Sequence, residues 1–427
     1  MALHEIIKER ETKERILLVI VEFKKHKTSW TSHDMLDEMT ELVSACGGHV
    51  IDSVIVRVDY ATAGLLISEG KAKDIAALCS MRKVDTVIFS QDLKGSQIRN
   101  IEEILKVKTI DRTQLILDIF ARHANSSEGK MQVELAQLEY LLPRLVGHGA
   151  EMSRLGGGIG TVGPGESKLE IDRRRIAQRI SKLKQGLKAV SQTRMVKRKK
   201  RAIEGVPTVS LVGYTNAGKS TLLNALTDAG QVTNDGLFTT LDSLSRQYLL
   251  PNHQKIVLSD TVGFMHELPH HLIESFKATL EEVKDSDLLL HVIDVSNPNF
   301  RKFYEAVNVV LQQLDAHKKP VITVLNKLDR VDDKRMFRDL KDNFPNAVLV
   351  SALKKEHFDE LNDMITQMLS TLIIEIDVTI PIGRMDLINK AHQEGQVFSV
   401  KYYTDTINLR AAVSPKLAGM LKKISCS

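Results

Sequence analysis

Cysteine and long apolar runs are the two features that this 427-residue sequence has least of. Its three cysteines, Cys46, Cys79 and Cys426, are far apart and show no CxxC spacing, which excludes a disulfide framework and a cysteine-based zinc site. They are expected to be incidental thiols in a reducing compartment. No apolar run approaches the roughly 18 residues of a membrane helix, and the charged start of the chain lacks the apolar core of a signal peptide. These absences predict a cytoplasmic protein with no membrane span.

The composition is otherwise that of a globular protein, with 43% apolar residues and a net charge of only +5. The length predicts about two to four domains, and hydrophobic patterning divides the chain into four regions. The first and third regions alternate strand-like runs with helical stretches, which predicts parallel sheets with helical crossovers. The fourth region is expected to be a small α+β domain. The regions are residues 1–125, 126–203, 204–372 and 373–427.

The second region is predicted to form an antiparallel helical hairpin. Apolar residues recur at steps of three, four or seven on both sides of a glycine-rich segment, as in a coiled-coil seam. Pro143 lies late in the first run and is expected to bend that helix. The two stripes are Met131, Leu135, Leu138, Leu142 and Leu145, then Leu169, Ile176, Ile180, Leu183, Leu187 and Val190.

The glycine-rich segment RLGGGIGTVGPGES (154–167) contains a G-x-G-x-x-G, a pattern typical of dinucleotide-binding loops. Its context is wrong for that function, because it follows a predicted helix and no strand with an acidic residue lies about twenty residues later. Pro164 and Gly165 are expected to break the chain before the next helix begins. We interpret the segment as the small, bendable tip of the hairpin.

The helix beyond this tip is strongly basic. Residues 168–201 contain fourteen lysines and arginines and two acidic residues, so their net charge of +12 exceeds that of the whole chain and leaves −7 for the remainder. Such a concentration predicts contact with the phosphate backbone of RNA. An anionic membrane surface is the competing interpretation, but the apolar stripe is already needed within the hairpin.

A different glycine loop carries the pattern of a phosphate-binding loop. In PTVSLVGYTNAGKSTLLNAL (207–226), a strand, the motif G-x-x-x-x-G-K-[ST] and a helix follow in the required order. Gly213 and Gly218 let backbone N–H groups curl around phosphate oxygens. Lys219 can reach the β- and γ-phosphates, and Ser220 can offer its hydroxyl to Mg²⁺.

Two later segments supply the expected γ-phosphate and magnesium contacts. In LFTTLDS (237–243), Thr240 can complete the Mg²⁺ shell. KIVLSDTVGF (255–264) is a predicted strand ending in Asp260, whose carboxylate can hold a magnesium-bound water, and Gly263, whose N–H can contact the γ-phosphate. Lys219, Thr240 and Gly263 are therefore the predicted catalytic residues.

Two further strand ends predict selection of guanine. Asp329 can accept hydrogen bonds from the N1–H and N2 amine of guanine, two donors that adenine lacks there. The backbone at Ser351 and Ala352 can meet the guanine O6. The predicted GTP-contacting residues are Gly213, Tyr214, Thr215, Asn216, Ala217, Gly218, Lys219, Ser220, Thr221, Phe238, Thr239, Thr240, Leu241, Asp242, Asp260, Thr261, Val262, Gly263, Asn326, Lys327, Leu328, Asp329, Ser351, Ala352 and Leu353.

Two residues refine the expected chemistry. Phe264 follows Gly263 where Ras-type enzymes carry a glutamine that orients the attacking water, which predicts slow intrinsic hydrolysis and groups supplied by a partner. Asn216 lies three residues before Lys219, a placement that resembles potassium-dependent GTPases such as Era and the tRNA-modifying family. It predicts K⁺ beside the phosphates, with a plain hydrogen bond within the loop as the alternative. The histidines of GFMHELPHHL (263–272) are interpreted as part of a switch loop leading into a helix.

Together these elements resemble the HflX family of ribosome-binding GTPases. The resemblance extends over about residues 50–370 and is carried by TIDRTQLILDIFARHANSSEGKMQVELAQLEYLLPRL (109–145), by SRLGGGIGTVGPGESKLEIDRRRIAQRISKLK (153–184) and by the nucleotide motifs. This chain has Val162 where the family often has arginine, and Ser167 where it has threonine, so the tip lacks a cation that the family often places there for RNA contact.

The resemblance implies a GTPase that binds the large ribosomal subunit and splits stalled 70S ribosomes, with GTP, GDP and Mg²⁺ as ligands and a monomeric chain. It also implies that the tip approaches the peptidyl-transferase centre and that the basic helix lies along ribosomal RNA. A large-subunit assembly GTPase and a nucleotide-gated RNA-binding module are the alternatives. The implied RNA-contacting residues are Gly156, Gly157, Gly158, Gly160, Gly163, Gly165, Arg173, Arg174, Arg175 and Arg179.

Overall fold

A computed structural model describes residues 13–24, 30–145, 164–204, 206–227, 244–267, 269, 277–331, 336–370, 374–413 and 415–425. The chain packs as two compact units, Met1–Leu187 with Pro269–Ser275 and Lys188–Leu268 with Phe276–Ser427. Within the described residues, no helix combines the length and the apolar character needed to cross a bilayer.

The first unit contains the predicted parallel α/β domain. Its four-stranded sheet has the order β2-β1-β3-β4, and every neighbouring pair is parallel. The central strand is buried from Ile16 to Val21, as expected for a parallel sheet covered on both faces. The strands are β1 (Arg15–Phe23), β2 (His49–Val58), β3 (Thr86–Phe89) and β4 (Lys108–Asp111), and the helices are α1 (Ser32–Ala45), α2 (Glu69–Arg82), α3 (Gly95–Leu105) and α4 (Arg112–His123).

Two further helices, α5 (Ser127–Leu141) and α6 (Pro164–Glu204), correspond to the predicted hairpin. Ion pairs link them, since Arg179 binds Glu134 through two contacts of 2.6 and 2.7 Å, and Lys184 lies 2.8 Å from Glu139. On the predicted stripe of α6, Leu183 is buried, and Ile176, Ile180, Leu187 and Val190 are half-buried.

Two prolines mark the hairpin in different ways. Pro143 lies in a 3₁₀ turn, Leu142–Leu145, so α5 ends before this proline and does not continue through it with a bend. The expectation that Pro164 and Gly165 precede the second helix is wrong, because α6 begins at Pro164. Proline is favoured in the first helical turn, where its missing N–H would have had no partner within the helix.

The second unit is built on a six-stranded sheet with the order β10-β9-β8-β5-β7-β6. All neighbours are parallel except β6, which pairs antiparallel with β7 at the edge. The strands are β5 (Thr208–Gly213), β6 (Leu244–Leu249), β7 (Lys255–Asp260), β8 (Leu288–Asp294), β9 (Val321–Asn326) and β10 (Ala347–Leu349), and the helices are α7 (Lys219–Thr227), α8 (Lys277–Asp285), α9 (Phe300–Gln313), α10 (Met336–Asn343) and α11 (Phe358–Ser370).

The carboxy-terminal part of this unit is the predicted small α+β domain. An antiparallel sheet of order β11-β13-β12 packs against two helices. Ile407, Leu409 and Ala411 are fully buried and belong to the core that the sheet forms with the helices. The elements are β11 (Ile374–Pro381), α12 (Met385–Glu394), β12 (Gln396–Tyr402), β13 (Thr406–Val413) and α13 (Pro415–Ile424).

Candidate nucleotide-binding site

The predicted motifs meet at one edge of the six-stranded sheet. Strands β5, β7 and β9 are parallel and end at Gly213, Asp260 and Asn326, where the corresponding motifs begin. Ligands of open α/β sheets bind in the crevice outside the carboxyl ends of the strands. Motifs that are far apart in the sequence therefore lie close together in the structure.

Two positions of the P-loop have no room for a Cβ atom and therefore require glycine. A Cβ atom on Gly213 would lie 2.3 Å from the carbonyl oxygen of Val292, in the neighbouring strand β8. Gly218 has a φ of +92°, and a Cβ there would lie 2.3 Å from Nδ2 of Asn326. An alanine at either position would therefore displace the loop.

Lys219 is buried where the loop enters α7. Its Nζ donates to the carbonyl oxygens of Gly213 and Tyr214, at 3.2 and 2.8 Å. Burial lowers the pKa of Lys219 to about 8, an effect that the Asp260 carboxylate opposes and the Lys327 ammonium reinforces. An anion placed beside Nζ would restore the charged form.

Ser220 and Asp260 bring two oxygen donors together beside this lysine. The Ser220 hydroxyl donates to Oδ2 of Asp260 at 2.6 Å. Thr261 is fully buried, and its hydroxyl donates to the carbonyl oxygen of Leu211, which fixes the end of β7 against β5. The carboxylate is therefore held in place by the sheet itself.

The segment that follows β7 is hydrogen-bonded to the P-loop. Phe264 N–H donates to the carbonyl of Gly213 at 3.0 Å, and Thr215 N–H donates to the carbonyl of Phe264 at 2.8 Å. The Phe264 side chain is only 1% exposed. The side chain therefore packs in the protein interior, and it offers no donor for a water at this position.

A second network joins the P-loop to the ends of β9 and β10. Asn326 Nδ2 donates to the carbonyl of Ala217 at 2.9 Å, and Ala352 N–H donates to Asn326 Oδ1 at 3.0 Å. The Ser351 hydroxyl donates to Oδ1 of Asp329 at 2.5 Å. These contacts hold the Asp329 carboxylate beside the backbone of the 351–352 turn.

Sequence profiles of three related families match most of the chain. A GTP-binding GTPase N-terminal profile matches residues 33–121, a GTP-binding GTPase middle-region profile matches 123–201, and a 50S ribosome-binding GTPase profile matches 208–327. The GTPase HflX of Caldanaerobacter subterraneus is 40% identical over 97% of this chain and 94% of its own length. The chain belongs to the HflX family of GTPases. The Escherichia coli GTPase HflX is 42% identical over 81% of this chain and 82% of its own length.

One solved structure extends the comparison beyond the curated HflX proteins. It is a GTP-binding protein from the archaeon Sulfolobus solfataricus in complex with GDP, 27% identical to this HflX-family chain. The match covers 84% of this chain and 99% of the other, with a TM-score of 0.42.

Several predicted site residues lie outside the described residues of this HflX-family chain. These are Phe238 to Asp242 in the LFTTLDS segment and Gly156 to Gly163 in the tip. His270 and His271, interpreted as part of a switch loop, also lie outside the described residues. Within the described part, no group of three or more His, Cys, Asp or Glu side chains is placed to hold a metal ion. Gly165 lies in the first turn of α6, Leu353 is 70% exposed, and Arg173 to Arg175 are exposed on α6.

The structure also adds residues that motif reasoning missed. Asp294, at the end of β8, lies 2.8 Å from Nζ of Lys327 and so anchors the lysine of the predicted base-binding motif. His291 is buried three residues earlier in β8 and stacks on Tyr304 with ring centroids 4.9 Å apart. Burial lowers the pKa of His291 to about 3, so the ring stays neutral next to Lys219. Neither residue belongs to a sequence motif, and only the sheet order brings them to the site.

Proposed function

We propose that this chain is a GTP-driven switch that binds the large ribosomal subunit and splits stalled 70S ribosomes. The observation that carries the proposal is the convergence of Lys219, the Ser220–Asp260 pair and the Ser351–Asp329 pair at one sheet edge. They are suited to phosphate, to a divalent cation and to guanine, respectively. Membership of the HflX family and the 50S ribosome-binding GTPase profile support the ribosomal partner.

Magnesium fits the donors present beside the phosphate-binding loop. The Ser220 hydroxyl and the Asp260 carboxylate are hard oxygen ligands, which Mg²⁺ prefers, and Asp260 can act through a bound water. When bound with GTP, the ion would neutralise negative charge on the phosphates. Thr240 is the proposed third oxygen donor of this set.

Hydrolysis requires water to attack the γ-phosphorus while the bond to the β–γ bridging oxygen breaks, giving GDP and phosphate. Lys219 can stabilise the charge that develops on the phosphate oxygens. Gly263 can donate its backbone N–H to the γ-phosphate. Because Phe264 is buried and apolar, the water must be oriented by backbone groups or by a partner, so we expect slow hydrolysis by the chain alone.

The basic helix α6 and the tip loop are the proposed RNA-binding part of the switch. Arg173, Arg174 and Arg175 are exposed and free to approach phosphate, whereas Arg179 binds Glu134 within the hairpin. The pKa of Glu134 is held below its usual value by this guanidinium. The three consecutive arginines are therefore better candidates for RNA contact than Arg179.

Splitting is tested by light scattering of purified 70S ribosomes, with phosphate release followed in parallel. We expect dissociation with GTP and with a nonhydrolysable analogue, and hydrolysis at least about tenfold faster with large subunits than without, since a partner must complete the site. If ribosomes never dissociate in either nucleotide, an assembly role is favoured. If nucleotide leaves RNA affinity unchanged, the switch itself is wrong. Equal hydrolysis rates with and without large subunits contradict partner activation.

Potassium at Asn216 is a further proposal for the same site. The Asn216 amide oxygen accepts from Nζ of Lys327 at 3.5 Å, so this oxygen is placed to contact a cation. Hydrolysis in KCl and in NaCl at equal ionic strength measures the effect. Equal rates in the two salts would leave Asn216 with the plain hydrogen-bonding role.

The pKa of Lys219 predicts how nucleotide affinity depends on pH. Bound phosphate favours the charged amine, so the affinity is complete below the pKa of the free protein, about 8, and is lost as the pH rises through that value. We expect the affinity for GDP to fall about fourfold between pH 7 and pH 8.5, as the charged fraction falls. Fluorescence titration of labelled GDP measures it. Lys219→Arg, which stays charged, is expected to show a flat profile, and an equally flat wild-type profile would contradict the assignment.

A further inference from the structure

The side chain of Tyr214 connects three elements of the second unit. Tyr214 occupies the second position of the P-loop motif and is 6% exposed. Its ring stacks on Phe303 of α9 with centroids 4.1 Å apart and an interplanar angle of 7°. Its hydroxyl oxygen accepts the backbone N–H of His266 at 3.0 Å.

The contact with His266 falls on the segment that must respond to the γ-phosphate. His266 lies three residues after Gly263, and Phe264 between them is bonded to the P-loop through two backbone hydrogen bonds. The phenol thus adds a third hydrogen bond that holds this segment against the loop. It is made by a side chain, so one substitution can remove it without changing the backbone.

The P-loop motif does not require a tyrosine at this position. G-x-x-x-x-G-K-[ST] leaves the second residue free, because phosphate is bound there by backbone N–H groups and by the lysine. In this chain both the ring and the hydroxyl are engaged, and the residue after Gly263 supplies no polar side chain. Positioning of the segment is therefore left to contacts such as that of Tyr214.

We infer that Tyr214 is a positioning residue that fixes the 263–266 segment for GTP hydrolysis and connects that segment to α9 through Phe303. The inference rests on the proposed nucleotide site. The hydroxyl orders the segment whose backbone approaches the γ-phosphate, and the stacked ring transmits a displacement of the segment to α9. GDP has no γ-phosphate, so the hydroxyl is expected to contribute little to GDP affinity.

Tyr214→Phe tests this inference, because it removes only the hydroxyl and keeps the ring. We expect the single-turnover hydrolysis rate to fall about threefold to tenfold, the range for loss of one hydrogen bond, while GDP affinity changes by less than about twofold. Tyr304→Phe is the matched control, since it removes a hydroxyl from the residue next to Phe303 and should leave both quantities unchanged. Phe303→Leu keeps the hydroxyl and removes the stack, and it should also slow hydrolysis.

If the wild-type protein binds GDP and hydrolyses GTP, either of two results for the variants would overturn the inference. The first is an unchanged hydrolysis rate in Tyr214→Phe. The second is an equal loss of GDP affinity and rate, which would show that Tyr214 only builds the loop. If the wild-type protein neither binds GDP nor hydrolyses GTP, the proposed nucleotide site fails first and the inference falls with it.

Discussion

Replacing Asp329 by asparagine is expected to lower the affinity for GDP about hundredfold and to make xanthosine diphosphate the preferred ligand. The wild-type carboxylate can accept from both N1–H and the N2 amine of guanine. An asparagine amide group would face the N2 amine with a donor, so one hydrogen bond is lost and two donors oppose each other. Charge-assisted hydrogen bonds contribute about 1.5–3 kcal/mol each, which corresponds to the expected factor.

The expected preference for xanthosine diphosphate follows from the chemistry of xanthine. It carries a carbonyl in place of the N2 amine, so the asparagine N–H can donate to it while the asparagine oxygen still accepts from N1–H. Equilibrium titration of Asp329→Asn with GDP and with xanthosine diphosphate measures both affinities. An unchanged preference for GDP would remove Asp329 from the base-binding site.

Ser351→Ala is the matched control for this substitution. It removes the hydroxyl that donates to Asp329 but leaves the carboxylate in place. We expect a loss of GDP affinity of less than about tenfold, since one neutral donor is removed, and no gain of xanthine affinity. A base switch in Ser351→Ala would mean that the orientation of the carboxylate, and not its charge, selects guanine.

The position of Asp329 could be predicted because parallel strands bring their carboxyl ends to the same sheet edge. Asp329 and Ser351 are 22 residues apart, yet each follows a buried strand, so motif and strand end together placed them in one site. The same logic placed Lys219 beside Asp260. These residues were accessible from the sequence because their spacing is dictated by the chemistry of the nucleotide.

Other parts of the structure gave no comparable signal in the sequence. The pairing of Lys327 with Asp294 depends on β8 lying beside β9, and no motif reports that neighbourhood. Strand β4 is four residues long, too short to establish an alternating pattern. The stacking of Tyr214 on Phe303 joins residues from two elements and depends on how α9 packs against β5 and β8. Tertiary packing decides each of these features.

The second large effect is expected on α6, where alanine at Arg173, Arg174 and Arg175 should weaken binding to isolated large ribosomal subunits about tenfold to hundredfold near 0.1 M salt. These side chains are exposed, and among the described residues their acidic contact is a long one, 3.8 Å from Arg175 to Asp172. They are therefore available to replace counterions on RNA phosphates. GDP affinity should stay unchanged, because the nucleotide site draws no residue from this stretch.

The salt dependence distinguishes phosphate contact from a general loss of charge. Each phosphate contact contributes about 0.7–0.9 to the slope of log affinity against log salt, so the triple variant should flatten that slope by about 2 to 3. The matched control replaces Lys24, Lys71 and Lys73, a change that removes the same charge. Each of these lysines is paired with an acidic neighbour within about 3.3 Å. If both triple variants weaken binding equally and keep the wild-type slope, α6 makes no specific RNA contact. A loss confined to the arginine variant, with a flattened slope, places RNA phosphates along α6, and the hairpin is then the element by which the GTPase engages the large subunit.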